Sequence, residues 1–343
     1  MIEKIIKNLV VGKDLSERKA MEAMNDIMEG RATKDQIAAF LVSLRMKGEK
    51  SGEIAGFARS MREQCIRIQP RKTGLVDTCG TGGDRVKTFN ISTTSMFVAA
   101  GAGIPIAKHG NRSVTSKAGS ADVLEALGVS MDAEPESVEK IIEKIGIGFM
   151  FAPNFHPAMK YAMPVRKKLE IRTVFNILGP LTNPAQAEHQ VLGVYSLDIL
   201  EKMAYALVKL GVGHSFVIHG SGMDEVTTLG KTRVAEINHG VDIYELTPYD
   251  FGLKKADLND LQTKNTAENA QILYGILKGE AGPKRDIVIA NAALAIIAGG
   301  KADDPEKAVE VAEESIDSGR AFEKLEMLVR EGGDISVLEK FGE

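Results

Sequence analysis

A chain of 343 residues, 44% hydrophobic and 26% charged, is long enough for roughly two globular domains and too apolar for disorder. Its net charge of −4 gives no basic field to draw nucleic acid or anionic lipid, and two cysteines, Cys65 and Cys79, are too few for a disulfide scaffold or a cysteine-rich metal site. The apolar tracts Met96–Ala107 and Ile287–Ala298 fall short of the roughly 20 residues a membrane span needs, and Glu3, Lys4 and Lys7 interrupt any signal core, so the expectation is a soluble cytoplasmic protein without nucleic-acid or membrane partners.

The first seventy residues read as helices alone. Asp14–Gly30 carries a helical stripe at Leu15, Ala20, Met21, Met24, Ile27 and Met28 that ends on Gly30. Thr33 followed by Gln36 is a capping-box signature for a helix reaching Gly48, and a third helix spans Gly52 to about Ile66. From Gly74 strands alternate with helices. Strands are expected at Leu75–Cys79, Ile104–Ala107, Gly148–Ala152, Gln190–Tyr195 and Ser215–His219. Helices are expected at Ser92–Gly101, Ser120–Leu127, Glu134–Ile145 and Leu197–Leu210, and Asn154–Lys168 reads as a helical return towards the first unit. Thr232–Leu246 suggests a hairpin around Asn238–Gly240, and Thr266–Gly279, Ala290–Gly299 and Pro305–Glu331 read as helices.

This alternation predicts an α/β fold: a small all-helical N-terminal domain and a larger α/β domain with a mainly parallel central sheet flanked by helices. The expected division places residues 1–72, with the returning segment 154–184, in the helical domain, and 73–153 with 185–343 in the α/β domain.

The 34 glycines mark where chemistry could sit. In DTCGTGGDRVKTFN, Asp77–Asn90, a strand runs into three glycines whose N–H groups could approach an anion at a helix N-terminus. The spacing is neither that of a Walker loop nor of a dinucleotide fingerprint, because Arg85 stands where the third glycine belongs, and a plain tight turn would look similar. Asn90, Ser92, Thr93 and Thr94 add donors at the helix start, beyond what simple N-capping needs. A second polar loop, Lys108–Lys117, follows the next apolar run. Two such loops after βα-type strands belong at the carboxyl edge of a parallel sheet, where they suit a multiply phosphorylated ligand better than two unrelated solvated loops. Asp224 and Glu225, on a glycine-marked loop after Ser215–His219, could supply carboxylate oxygens to one or two Mg²⁺ ions, although an Asp-Glu pair alone is commonly just exposed. The six histidines show no metal-ligand spacing, no nucleophile elbow occurs, and Cys79 reads as a small strand residue, so no acid–base or nucleophilic catalytic residue is assigned.

Six motifs occur in a fixed order: GTGGD at Gly80–Asp84, NIST at Asn90–Thr93, KHGNR at Lys108–Arg112, GSAD at Gly119–Asp122, VFNILGPLTNP at Val174–Pro184 and MDE at Met223–Glu225. With its length and helical start, the chain resembles the anthranilate phosphoribosyltransferases along nearly its whole length. Pyrimidine nucleoside phosphorylases share the architecture but lack KHGNR together with VFN-x-LGPL-x-NP. The resemblance implies Mg²⁺-dependent transfer of the phosphoribosyl group of phosphoribosyl pyrophosphate to the amine of anthranilate, the second step of tryptophan biosynthesis. It implies phosphoribosyl pyrophosphate contacts at Gly80, Gly83, Asp84, Thr88, Asn90, Ile91, Ser92 and Thr93 and at Lys108, His109, Gly110, Asn111, Arg112, Ser113, Val114, Thr115, Ser116 and Ser120. Anthranilate contacts would be Gly80, Asn111 and Arg166, with His109, His156 and Arg172 lining the site; Ser92, Asp224 and Glu225 would hold Mg²⁺ as two ions. It further implies a homodimer formed through the helical domain. Two alternatives stay open at this point: a pentosyltransferase of the nucleoside phosphorylase type, and a non-catalytic phosphoribosyl pyrophosphate or nucleotide sensor.

Overall fold

Caps and apolar stripes set the first helices. In the computed structural model, which describes residues 1–342 apart from 84, 85, 87 and 114–117, the chain opens with α1 (Ile2–Val10), α2 (Glu17–Met28), α3 (Lys34–Lys47) and α4 (Ser51–Gln64). The capping box at α3 is formed as expected: Gln36 N–H donates to Thr33 Oγ1 (3.2 Å) and Thr33 N–H to Gln36 Oε1 (2.9 Å). Helix α1 was not anticipated. Its Ile2, Ile5 and Leu9 are buried while its lysines face out, the amphipathic spacing of a surface helix.

The α/β part follows as β1 (Val76–Gly80), α5 (Ile91–Gly101), β2 (Ile106–Gly110), α6 (Ser120–Ala126), α7 (Pro135–Ile145) and β3 (Ile147–Phe151). Strand β2 begins later than expected and continues through Lys108 and His109 to Gly110, pairing residue by residue with β3 from Ile106↔Ile147 to Gly110↔Phe151. Lys108, His109 and Gly110 are therefore strand residues, not loop residues. The helical return is also broken, into α8 (Ala152–Phe155), a 3₁₀ turn at Pro157–Lys160 and α9 (Met163–Leu169). Pro157 and Pro164 lack the N–H that a continuous helix would need.

The chain continues through α10 (Phe175–Leu178), β4 (His189–Gly193), α11 (Leu197–Leu210), β5 (Ser215–Gly220) and the expected hairpin, β6 (Thr232–Ile237) and β7 (Val241–Leu246). It ends with α12 (Leu258–Leu261), α13 (Thr266–Leu277), α14 (Pro283–Ala298), α15 (Pro305–Asp317), α16 (Arg320–Gly332) and α17 (Ile335–Phe341). Helix α14 starts before the expected Ala290, at a proline suited to a first helical turn. The segment expected to run from Pro305 to Glu331 divides at Gly319, whose φ of +80° stops one helix before the next begins. No helix among the described residues is long and apolar enough to cross a membrane.

The seven strands lie in the order β3-β2-β1-β4-β5-β6-β7. The first five are parallel, and β6 and β7 are antiparallel additions. Successive strand residues serve opposite faces. Phe216 and Val234 pack with α5, α14 and α16, whereas the adjacent Val217 and Ala235 pack with Phe40, Phe57 and Leu207 of the helical side. The small-helix side and the sheet thus share one hydrophobic cluster, which includes Ala162, Val165 and Leu178 of the returning segment.

Candidate active site

From β1 the chain proceeds outward to β2 and β3, then crosses back to lay β4 on the other flank of β1. The strand order therefore reverses between β1 and β4, the place where open α/β sheets bind ligands at their carboxyl ends. The last residues of these two strands are Gly80 and Gly193, paired with each other. Asp224 arrives above them from the β5–β6 loop. A Cβ on Gly80 would strike the Asp224 carboxylate, and one on Gly193 would strike the Asp224 backbone carbonyl. Glycine at both positions creates the seat for this acid.

The β5–β6 loop is shaped locally. Gly220 and Met223 exchange backbone hydrogen bonds (3.0 and 2.9 Å), with Ser221 and Gly222 at φ +51° and +89°. Asn291 of α14 grips Val226, just past the two acids, accepting from its N–H and donating to its carbonyl (2.9 Å each). This anchoring delivers Asp224 and Glu225 to two sets of backbone donors. Gly82 N–H donates to Asp224 Oδ2 (2.7 Å), and Ser92 N–H, in the first turn of α5, donates to Glu225 Oε1 (3.1 Å). Burial raises the Asp224 pKa, opposed by the Gly82 N–H and by the charges of His219 and Lys108. Lys108, itself 2% exposed, ties its ammonium to the Thr78 carbonyl.

Two carboxylates, with Ser92 at the helix start, fit a hard divalent cation that takes its other ligands from water and substrate oxygens. Among the described residues no three His, Cys, Asp or Glu side chains cluster as a full metal cage. The expected metal ligands Ser92, Asp224 and Glu225 are thus brought together with Gly80 and with the turn containing Gly83. Asp84, Val114, Thr115 and Ser116 lie outside the described residues.

Other expected contacts are dispersed. Asn90 caps α5, with its N–H on Asn269 Oδ1 (2.9 Å) and its amide on the Ala118 carbonyl (3.3 Å). Thr88 bridges to Gln262. Ile91 and Thr93 are buried as whole residues, and the Ile91 N–H donates to the Phe89 carbonyl (2.8 Å). Arg112 turns towards α6, where it meets Asp122 (3.1 Å) and Glu125 (2.6 Å). Asp122 Oδ2 accepts the Ser113 N–H (3.0 Å), and Ser120 Oγ donates to the Asn111 carbonyl (3.3 Å), so both residues shape the β2–α6 turn.

The segment between α9 and β4 reaches over the same strand ends. Arg172 donates to the Gly83 carbonyl and stacks on Tyr195, its guanidinium 4.3 Å from the ring centroid. Arg166 is half-buried over Phe175, 5.2 Å from that ring, and no carboxylate among the described residues pairs with it; desolvation lowers its pKa. His109 lies with Nδ1 3.2 Å from the Gly179 carbonyl and its ring 5.0 Å from that of His156. Burial pushes these two imidazoles down to about 3 and about 4, so both are neutral at pH 7. Sequence reasoning passes over Gly193 and Tyr195. The glycine's only signal is its place at a strand end, and the tyrosine's partner is remote in sequence.

Family models match in two pieces: "Glycosyl transferase family, helical bundle domain" over residues 3–65 and "Glycosyl transferase family, a/b domain" over residues 72–322. The anthranilate phosphoribosyltransferase of Methanocorpusculum labreanum is 54% identical over 331 residues, covering 96% of this chain and 97% of that one. The chain belongs to the anthranilate phosphoribosyltransferase family. The Thermus thermophilus family member has a solved structure that superposes with a TM-score of 0.91 at 45% identity, covering 95% of this chain and 98% of that chain. The Saccharomyces cerevisiae enzyme, solved in complex with phosphoribosyl pyrophosphate and Mg, gives a TM-score of 0.88 at 30% identity, with 96% and 97% of the two chains covered. For a family of glycosyl transfer, the reversal point between β1 and β4, with its acids, glycines and neighbouring cations, is the place to look for chemistry.

Proposed function

We propose that this chain catalyses Mg²⁺-dependent transfer of the 5-phosphoribosyl group from phosphoribosyl pyrophosphate to the amino group of anthranilate, releasing pyrophosphate, in tryptophan biosynthesis. The observation that carries the reading is the seating of Asp224 and Glu225 on the N–H groups of the glycine turn and of α5. Acidic metal ligands and phosphate-binding donors occupy one spot there.

The chemistry asks little of acid–base groups. Pyrophosphate leaves the anomeric carbon with the bonding pair, and the ribose gains oxocarbenium character. Mg²⁺ bound through Asp224 and Glu225, as two ions, would neutralise the charge that collects on the departing oxygens. Once the cation draws Asp224 and Glu225 off them, the backbone N–H groups at Gly82 and the start of α5, with Gly83 and the Lys108 ammonium, would stabilise the same charge. The amine of anthranilate is already neutral at pH 7, so its orientation supplies much of the remaining acceleration. Arg166, a half-buried cation with no carboxylate partner among the described residues, suits the anthranilate carboxylate as a charge-assisted partner. Gly80 and Asn111 complete that side, with His109, His156 and Arg172 as lining.

The division into a helical domain, 1–72 with 154–184, and an α/β domain belongs to the same proposal. Packing of Ala162, Val165 and Leu178 with the first four helices supports it, although α11 joins that cluster too. We place the enzyme in the cytoplasm as a homodimer joined through the helical domain, where Val10, Val11 and Met46 are 69%, 66% and 83% exposed.

The test mixes the purified chain with phosphoribosyl pyrophosphate, Mg²⁺ and anthranilate and follows the loss of anthranilate fluorescence. The expected result is rapid loss that stops on chelation, with one pyrophosphate released per anthranilate consumed. Turnover of a nucleoside with phosphate instead would favour the phosphorylase reading. Tight Mg²⁺-dependent ligand binding without turnover of anthranilate would favour the sensor.

A further inference from the structure

The turn Gly179–Ala185 is pinned to the sheet by one buried polar network. Asp77 on β1 is fully buried, and its carboxylate accepts from Asn183 Nδ2 (2.9 Å), from His109 N–H (3.2 Å) and from Gln190 Nε2 (3.5 Å). Asn183 Nδ2 also donates to the Ala107 carbonyl (2.8 Å), while its Oδ1 accepts from Ala185 N–H (2.9 Å). Gln190 Nε2 donates to the Pro180 carbonyl (2.7 Å). These bonds fix both sides of the turn, within which Thr182 N–H (3.1 Å) and Oγ1 (2.9 Å) donate to the Gly179 carbonyl, and that same carbonyl faces His109 Nδ1 at 3.2 Å.

A carbonyl can only accept. The ring nitrogen facing it must carry the proton, and in a neutral imidazole the other nitrogen is then a bare acceptor. That second nitrogen, His109 Nε2, is buried and has no hydrogen-bond partner, as is His156 Nε2 in the neighbouring ring. Buried polar atoms are nearly always satisfied in a native chain, so unsatisfied acceptors point to a donor supplied by a ligand.

We propose that Asp77 is a positioning residue which, through Asn183 and Gln190, fixes the Gly179 carbonyl and so holds His109 as its Nδ1–H tautomer, leaving Nε2 to accept a hydrogen bond from an N–H of the acceptor amine. The proposal rests on the transfer reaction given above for the identity of that amine. It differs from a lining role because it assigns each nitrogen a state and names what sets it. A free histidine side chain favours the opposite, Nε2–H, tautomer in water, so the bound state needs an enforcing partner. The charged and titratable groups around the network are Lys108 from β2, His156 beside the ring and Cys79 on β1. Of these only His156 faces the His109 ring closely.

The test labels the histidines of the full chain with ¹⁵N and reads the ring nitrogens at pH 7 without substrate, with His109→Gln identifying the His109 signals. The expected result is a protonated Nδ1 and an unprotonated Nε2 in the wild type, and a mixture of tautomers in Asp77→Asn. In that variant KM for anthranilate rises about three- to tenfold, the effect of one misplaced neutral hydrogen bond, while KM for phosphoribosyl pyrophosphate stays within about twofold. Gln190→Met, which removes the bond to Pro180 without removing a charge, gives the same tautomer shift should Asp77→Asn fail to fold. An Nε2–H tautomer in the wild type, an unchanged tautomer in the folded variants, or equal rises in both KM values would overturn the proposal. A wild-type chain inert towards anthranilate would instead condemn the transfer reaction, because the nitrogen signals are read without substrate.

Discussion

The carboxylate of Asp224 lies 2.7 Å from the backbone nitrogen of Gly82, so a proposed metal ligand occupies a proposed phosphate donor. Glu225 stands in the same relation to Ser92 at 3.1 Å. Without a cation, the two acids compete with an incoming diphosphate for these N–H groups and repel it. A cation that draws the acids towards itself frees the donors and supplies positive charge, which makes metal and diphosphate binding mutually reinforcing. Calorimetry with pyrophosphate measures this directly. The wild type should bind at least about tenfold more tightly in Mg²⁺ than in chelator, a coupling of ordinary size. Asp224→Asn should bind more tightly than wild type in chelator and gain little from Mg²⁺. An Mg²⁺ enhancement of equal size in both proteins would refute the competition.

The two glycines beneath Asp224 separate function from stability. In Gly80→Ala the new methyl meets the acid's side chain, which can swing away; in Gly193→Ala it meets the acid's backbone, which is anchored through Asn291. Gly80→Ala should keep its melting temperature within a few degrees yet lose about 100-fold in Mg²⁺-dependent turnover, as when a positioned electrostatic group is displaced. Gly193→Ala should lose about 1–3 kcal/mol of stability, the usual cost of forcing extra volume into a packed site. Thermal denaturation beside steady-state rates distinguishes the two, and the opposite ranking would refute this division.

Arg166 is a half-buried cation stacked on Phe175 and carrying no carboxylate partner among the described residues. Its removal relieves a desolvated charge, so Arg166→Ala should cost little stability. The same change should raise KM for anthranilate by about 10- to 100-fold, the loss of a charge-assisted hydrogen bond, and leave KM for phosphoribosyl pyrophosphate nearly unchanged. Equal effects on the two substrates would mean that Arg166 does not belong to the acceptor side.

Much of this arrangement is legible in the order of residues, and what is hidden depends on partners remote in the chain. The capping box at Thr33 and Gln36, the β6–β7 hairpin and the alternation of β1, α5 and β2 follow from local chemistry. The far end of β2 does not. Lys108 and His109 read as loop residues because they are polar, yet they are buried on a strand, where the Lys108 ammonium meets the Thr78 carbonyl of β1 and His109 Nδ1 the Gly179 carbonyl of the turn before β4. Arg112 reads as a phosphate contact beside Lys108, but Asp122 and Glu125 of the following helix claim its guanidinium. Gly193 carries no signal beyond its place at a strand end, since what requires it is the approach of Asp224 from another loop.

The buried titratable groups around the Gly179 turn give the fold an acid-sensitive stability of defined sign. His109 and His156 have folded-state pKa values of about 3 and about 4 against 6.5 ordinarily, so the unfolded chain binds more protons between those limits. Their contribution is present above 6.5 and is lost as pH falls through the folded values. Asp77 acts oppositely. Burial raises it from 3.8 to about 6, so its contribution is present below 3.8 and disappears as pH rises through about 6. Between pH 6.5 and pH 4 two histidines outweigh one carboxyl, and their net effect is a loss of about 3 kcal/mol on acidification. Urea denaturation at the two pH values tests the signs through the variants. His109→Gln should lose about 3 kcal/mol less than wild type on acidification, and Asp77→Asn about 2 kcal/mol more. A steeper acid loss in His109→Gln, or a shallower one in Asp77→Asn, would reverse the assigned signs and with them the picture of neutral imidazoles beside a buried carboxylate.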